Sequence, residues 1–447
     1  MLSRDIKARH PAPRPAVRPL RAVLFVVFTV SVVVTNATVA SERVLSLVEA
    51  QQQAAERSRL LAAKDHAVQS AREMSVAAGQ LPDAVLKLGV DNLPINGQDR
   101  FSMTRDFMTM RRIGVMQELT RTDKRRLRAQ RFEREAEKSV AEKSATTATI
   151  ERETALAWLD RYYAEAMSTA IAEQLDQAKL EIQAAESAYR AGRGNQADIF
   201  NSRSAFAFLE DKASDIRRRI GNANIVLARW IGDAAQLPLG DKPAVDSIRL
   251  DEATLEAQLG HHPELAVLAK QEDIATTEAQ LAKANKKADW SIEVAVQKRG
   301  PGYSDMASVG LSVPLQWDRK NRQDRELSSK LAQVEQARAE REDALRAHVA
   351  EVRAMLNEWH TNRQRQIRYE QELIPFARSR TEASLASYRG GKATLADVLV
   401  ARRSEIDVRL QALQLGQETD RLWAQLNFLF PQYGHTQPLR SRANKDF

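Results

Sequence analysis

Two periodicities alternate along this chain. Tyr163, Met167, Ile171, Leu175, Ala178, Ile182, Ala185 and Tyr189 recur at steps of 4 and 3. Ile199, Arg203, Phe206, Leu209, Ala213, Ile216, Ile220, Ala223, Leu227 and Trp230 do the same, with Arg203 the one polar member. Such steps predict helices that meet along a narrow, coiled-coil-like seam. Neither glycine nor proline occurs from Val115 to Ala191, nor from Leu315 to Ile374, and both stretches are rich in good helix formers. The first would run about 110 Å at ~1.5 Å per residue if wholly helical.

Ahead of each long stretch the period changes to two. Ile292, Val294 and Val296 alternate with Ser291, Glu293, Ala295 and Gln297, and Val309, Leu311, Val313 and Leu315 with Ser308, Gly310, Ser312, Pro314 and Gln316. In the first half Leu86, Leu88 and Val90 oppose Lys87, Gly89 and Asp91, while Met110 to Leu119 alternates less cleanly. These segments predict strand pairs near 83–119 and 290–317, each strand with one apolar and one polar face. Trp290, Tyr303 and Trp317 fall at or near the ends of the second pair, where aromatic girdles would sit.

A short phrase appears twice between helical stretches. "YRAGRGNQADIF" from Tyr189 returns as "YRGGKATLADVL" from Tyr388, 199 residues later, and "GVMQEL" at Gly114 and "GLSVPL" at Gly310 stand 196 apart. The glycines (Gly192 and Gly194, then Gly390 and Gly391) permit a left-handed helix exit, and Asp198 and Asp397 fall near the positive start of the next helix. Each phrase therefore predicts a helical-hairpin tip, at 189–198 and at 388–397. The chain reads as a duplication, 41–240 and 241–430, of one unit: helix, strand pair, helical hairpin.

The start of the chain changes the charge picture. Arg4, Lys7, Arg9, Arg14, Arg18 and Arg21 precede the apolar run Ala22–Val34, then small residues lead to Ala40. This predicts a secretory signal peptide over 1–40; the run is shorter than the ~20 apolar residues of a spanning helix. Removing its six basic residues and one acid takes the excess from +8 to +3. Nucleic-acid binding, which needs a concentrated basic footprint, loses its support. With no cysteine there is neither a disulfide nor a thiolate ligand. The residues from 431 onward predict a disordered tail.

Little else suggests chemistry. His261 and His262 face different directions on a helix, and Pro263 after them marks a helix start, so the pair does not read as a metal site. Met103, Met108, Met110 and Met116 are thioethers suited to Cu(I), but they fall in or beside strands, where methionine packs or faces lipid. "GRGNQ" lacks the lysine and spacing of a phosphate-binding loop. No catalytic set, cofactor site or metal site follows from the spacing, so an enzyme is not expected.

If the strands face lipid, hydrogen bonding constrains the assembly. Four strands are too few to close a barrel, for which known bacterial examples begin at about eight, and open edges are forbidden in hydrocarbon. Several copies must then share one barrel. A soluble sandwich would also accommodate four strands in an exported protein, and a soluble periplasmic coiled-coil adaptor or scaffold would account for the helices without the two-faced strands.

The duplicated tips and the strand-pair-before-helix order, from about Ser41 to Phe430, resemble the TolC family of outer-membrane efflux channels. "VDNLPINGQDRFSMTRDFMTMRRIGVMQEL", from Val90, is similar to the outer-membrane components of heavy-metal exporters driven by resistance-nodulation-division pumps. The resemblance implies a mainly α fold with a small transmembrane β part. In it a homotrimer joins a twelve-stranded barrel in outer-membrane lipid to a helical tunnel through the periplasm. It implies hairpin tips that meet a periplasmic adaptor protein, with an inner-membrane resistance-nodulation-division pump supplying the energy. Tyr388 matches the family's tip tyrosine, Asp397 its gate carboxylate and Asp198 the corresponding carboxylate of the first hairpin; Tyr189, Gly192 and Gly391 complete the tips. Where some family members place an arginine and a second aspartate, this chain has Ala393 and Val400. The implied cargo is a heavy-metal cation; drug-efflux and type I protein-secretion channels use the same scaffold. Helix capping alone is the other role open to the two aspartates.

Overall fold

The computed structural model describes residues 43–432, so the predicted signal segment and the tail from 433 onward lie outside it. Helix α1 (Leu47–Arg57) gives way to α2 (Arg59–Ala78) at Ser58. That residue leaves helical geometry, and its hydroxyl accepts the Leu61 N–H at 3.2 Å, restarting the helix. Strands β1 (Val85–Asp91) and β2 (Met110–Leu119) follow, then α3 (Thr122–Arg190) and α4 (Gln196–Ile231). The same order then recurs. After the short α5 (Leu255–Leu259) come α6 (Pro263–Asn285), β3 (Trp290–Lys298), β4 (Met306–Ser312) and α7 (Gln323–Arg368). A five-residue π-helical turn, Tyr369–Leu373, joins α7 to α8 (Ile374–Arg389), and α9 (Leu395–Asn427) returns.

The breaker-free stretches are helical over most of their length; strand and turn take up 115–121 and 315–322, so α3 starts only at Thr122 and α7 at Gln323. Helix α3 has 69 residues, about 100 Å at 1.5 Å per residue. Its second-half counterpart is interrupted only by the π turn just before Pro375, which has no N–H to donate into a regular ladder. The predicted last strand is cut short: it ends at Ser312, leaving Val313 and Leu315 outside the ladder. Pro314 accounts for this, since proline cannot donate a ladder hydrogen bond.

The four strands form one antiparallel sheet in the order β1-β2-β3-β4. Register puts Leu86, Val115, Val294 and Val309 in one row across it, and Leu88, Ile113 and Val296 in another. All seven are exposed, Leu88 at 71% and Val309 at 78%. Residues directly opposite in an antiparallel sheet share a face, so this face is apolar, and none of the described residues covers it. The opposite face is ion-paired: Lys87 to Glu293 at 2.6 Å, and Arg112 to both Asp91 and Glu293 at 3.4 Å. Gly114 opposes Ala295, where a Cβ would come within 2.7 Å of the alanine methyl; glycine lets the two strands pair there. No helix among the described residues is long and apolar enough to cross a membrane.

The main core lies where α1, α3, α4, α7 and the end of α9 meet. Trp158 is fully buried and donates its indole N–H to the Leu45 carbonyl at 3.0 Å; Trp423 donates to Ser247 at 2.9 Å. A second cluster follows the predicted seam, packing Met167 and Ile171 of α3 on Ala213 and Ile216 of α4 and Ile406 of α9. Between the two clusters the Tyr163 hydroxyl donates to the buried Asp420 carboxylate at 2.5 Å, and Lys242 lies 3.1 Å from the same oxygen. Burial, then the Asp420 charge, pushes the Tyr163 phenol far above its ordinary range, so it remains a donor. The group ties α3 to α9 across the two halves of the chain. Replacing Tyr163 by Phe is expected to lower unfolding stability by about 1–3 kcal/mol, the penalty of a buried acceptor losing its donor. Denaturant titration against the parent checks it; unchanged stability would show that Lys242 alone satisfies Asp420.

Candidate functional site

Both predicted tips form, and by the same local chemistry. At the end of α3, Gly192 takes φ +65°; its N–H donates to the Tyr189 carbonyl at 3.0 Å, and the Arg193 N–H donates to Ala188 at 3.0 Å. At the end of α8, Gly391 takes φ +71°, with Gly391 N–H to Tyr388 at 3.0 Å and Lys392 N–H to Ser387 at 2.8 Å. Each is a Schellman turn, whose left-handed residue favours glycine. The repeated Tyr-Arg-x-Gly phrase thus spells a helix stop.

The aspartates then start the next helix. Asn195 accepts the Asp198 N–H at 2.9 Å while its own N–H donates to Asp198 Oδ2 at 3.3 Å. Thr394 accepts the Asp397 N–H at 3.3 Å and donates from its N–H (2.9 Å) and hydroxyl (2.7 Å) to Asp397 Oδ2. These are capping boxes, so both aspartates cap helices in the single chain. The Thr394 hydroxyl and then its backbone N–H hold the exposed Asp397 carboxyl below the usual aspartate range.

The structure brings the two tips together. Ala185 of α3 packs with buried Leu395 and Val398 of α9, and Ile199, Leu385 and Tyr388 close around them. Tyr388 is therefore partly enclosed, whereas Tyr189 is half exposed. Val400, three residues after Asp397, is exposed. Farther from the tips the hairpins are joined by ion pairs: Glu181 with Arg402, Lys212 with Asp407 at 2.5 Å, and Glu173 with Arg409 at 2.8 Å. Burial raises the Glu181 carboxyl above its ordinary range, with Arg402 opposing the shift. A cavity of about 400 Å³ lies among these helices, and on its wall Phe208 is flanked by Arg403 and Lys212, at 4.5 and 5.2 Å from the ring centre.

Sequence reasoning found the glycines and both carboxylates but missed their partners. Asn195 and Thr394 precede the aspartates by three residues, the spacing of a capping box, and were legible on that ground. The cross-hairpin ion pairs join residues 195 to 236 positions apart and left no local signal.

Thr394→Ala removes the cap while leaving the Asp397 charge. It is expected to weaken the start of α9 by about 0.5–2 kcal/mol, read as faster amide exchange in its first turn, and to return the Asp397 carboxyl toward its ordinary value. A depressed carboxyl contributes stability above its unfolded value, about 3.9, and loses it as pH falls through the lower folded value. Fraying of this turn on acidification should therefore begin below pH 4 in the parent and be absent as a separate step in the variant.

Residues 254–430 match the family model described as outer membrane efflux protein. A search of curated proteins finds no match. Solved structures similar to this chain include the outer membrane protein VceC from Vibrio cholerae (18% identity, 86% of this chain and 95% of that one, TM-score 0.69). CusC is 15% identical over 86% of this chain and 92% of its own, with TM-score 0.73. The Campylobacter jejuni CmeC outer membrane channel is 12% identical over 87% of both, with TM-score 0.71. The chain thus has the fold of solved outer-membrane channels over most of its length, and its second half carries the sequence pattern of the outer membrane efflux protein family.

Proposed function

We propose that this protein is a passive conduit rather than an enzyme: the outer-membrane channel of a tripartite efflux system, built from three copies. The observation that carries this is the sheet. Its apolar face is exposed in rows, its other face is ion-paired, and both edge strands, β1 and β4, are unpaired among the described residues. In hydrocarbon those edges need partners, and only other copies of the same sheet extend it into a closed cylinder with the charged face toward water. The helical hairpins continue into the periplasm, their tips turned toward an adaptor and an inner-membrane pump. The two halves of the chain are copies of one ancestral unit.

We take the cargo to be heavy-metal cations, on the likeness of residues 90–119 to metal exporters. At the tips, threefold symmetry makes Asp397 a ring of three carboxylates around the entrance, able to attract cations while also capping α9. Two arms separate charge from capping. In planar bilayers, trimeric pores are expected to be blocked by polyvalent cations from the tip side. Asp397→Asn should clearly raise the blocking concentration, while Thr394→Ala should leave block intact. Equal block in both variants would remove the gate assignment. Fractionation tests the conduit itself: a protein released from membranes by salt alone would point to the soluble adaptor. Heavy-metal sensitivity of a deletion strain checks the cargo, and drug sensitivity without it would reassign the channel.

A further inference from the structure

Three metal-ligating side chains converge at the end of α9 opposite its tip. His262 caps the start of α6, Glu264 stands in the first turn of that helix, and His348 projects from the middle of α7. One ligand atom from each lies within 4.8 Å of the others. The two imidazole rings are 4.2 Å apart between centres, and Phe430 packs edge-on against His262 at 5.6 Å. His262 is buried, His348 half-buried and Glu264 exposed, so the group is walled on one side and open to solvent on the other. A second observation points the same way: Nε2 of His348 is shut off from solvent and makes no hydrogen bond. A buried ring nitrogen without a partner is costly and calls for an explanation.

We propose that His262, His348 and Glu264 form a divalent-cation site of the zinc class, pinning the start of α6 to the middle of α7. The donor set decides the class. Two imidazoles and a carboxylate, with water completing a tetrahedron, suit Zn²⁺ and Co²⁺, while the absence of any thiolate disfavours soft Cu(I). Ligand arms of about 2.0–2.1 Å put tetrahedral donors roughly 3.3 Å apart. The present spread of up to 4.8 Å therefore closes by as much as about 1.5 Å, through side-chain rotation. Glu351 lies 3.9 Å from Nδ1 of His348, outside hydrogen-bond reach as the ring now stands. Against the site stand the nearby Arg152, which pairs with Glu153 at 3.3 Å, and the Glu264 N–H, which donates to His262 Nδ1 at 3.4 Å and leaves Nε2 as the ring's ligand atom or must give way. The site is independent of what the channel conducts.

The test uses the full chain purified in detergent, free of any histidine tag and stripped with chelator. Calorimetric titration with Zn²⁺ should give one equivalent per protomer. Co²⁺ should give the intense visible bands of a tetrahedral complex. His348→Gln should keep helical content and assembly size while losing the cobalt bands and raising the Zn²⁺ dissociation constant at least about tenfold. Should that variant misfold, Glu264→Gln, at an exposed position, carries the test with a smaller loss of affinity. A parent protein that takes up no stoichiometric Zn²⁺, or variants that bind it as the parent does, would overturn the site.

Discussion

Unpaired backbone groups at the two edges of a four-stranded sheet govern this molecule. In water an open edge is tolerable; in lipid each unpaired N–H or carbonyl costs several kcal/mol. The sheet presents its valines and leucines outward with none of the described residues covering them, and keeps its ion pairs on the reverse. That arrangement is unfavourable for an isolated soluble chain and satisfied in a shared barrel. In the proposed assembly the long helices extend such a barrel, α3 alone adding about 100 Å.

The helical part is held by alternation between narrow apolar contacts and polar anchors. The α3–α4–α9 seam is filled by alanines, isoleucines and a methionine. Flanking it are contacts that lock one half of the chain to the other: Tyr163 with Asp420, Asp160 with Arg421, Lys212 with Asp407. Most of the ion pairs are partly exposed and individually worth a fraction of a kcal/mol to about 1 kcal/mol. The buried tyrosine–carboxylate contact is the stronger tie between the halves.

Much of this was legible from residue order because the elements are long and strongly periodic. Absence of glycine and proline over 115–191 marked α3, and alternation at 291–297 marked β3 with its faces. The less regular 110–119 is nonetheless a strand, because pairing on both sides by β1 and β3 outweighs imperfect alternation. At Pro314 the missing backbone donor outweighs the alternation of the side chains, and the strand stops at Ser312. The tips were legible as glycine followed by aspartate, but not the joining of both tips through Ala185, Leu395 and Val398, which depends on tertiary packing. His348 was beyond reach for the same reason, since nothing local to "HHPEL" points to a residue on another helix.

The π turn at Tyr369–Leu373 sets the two hairpins apart. One surplus residue in a helix of 3.6 per turn rotates everything beyond it by about 100°. Helix α3 runs through to its tip without such a slip, whereas α8 presents its stripe at a different azimuth from the one α7 would have delivered. Equivalent letters in the twin phrases do not occupy equivalent surroundings either: Tyr388 is partly enclosed where Tyr189 is half exposed. Around a threefold axis the six tips would alternate between two kinds, giving any docking partner a two-tone rim in place of a uniform one.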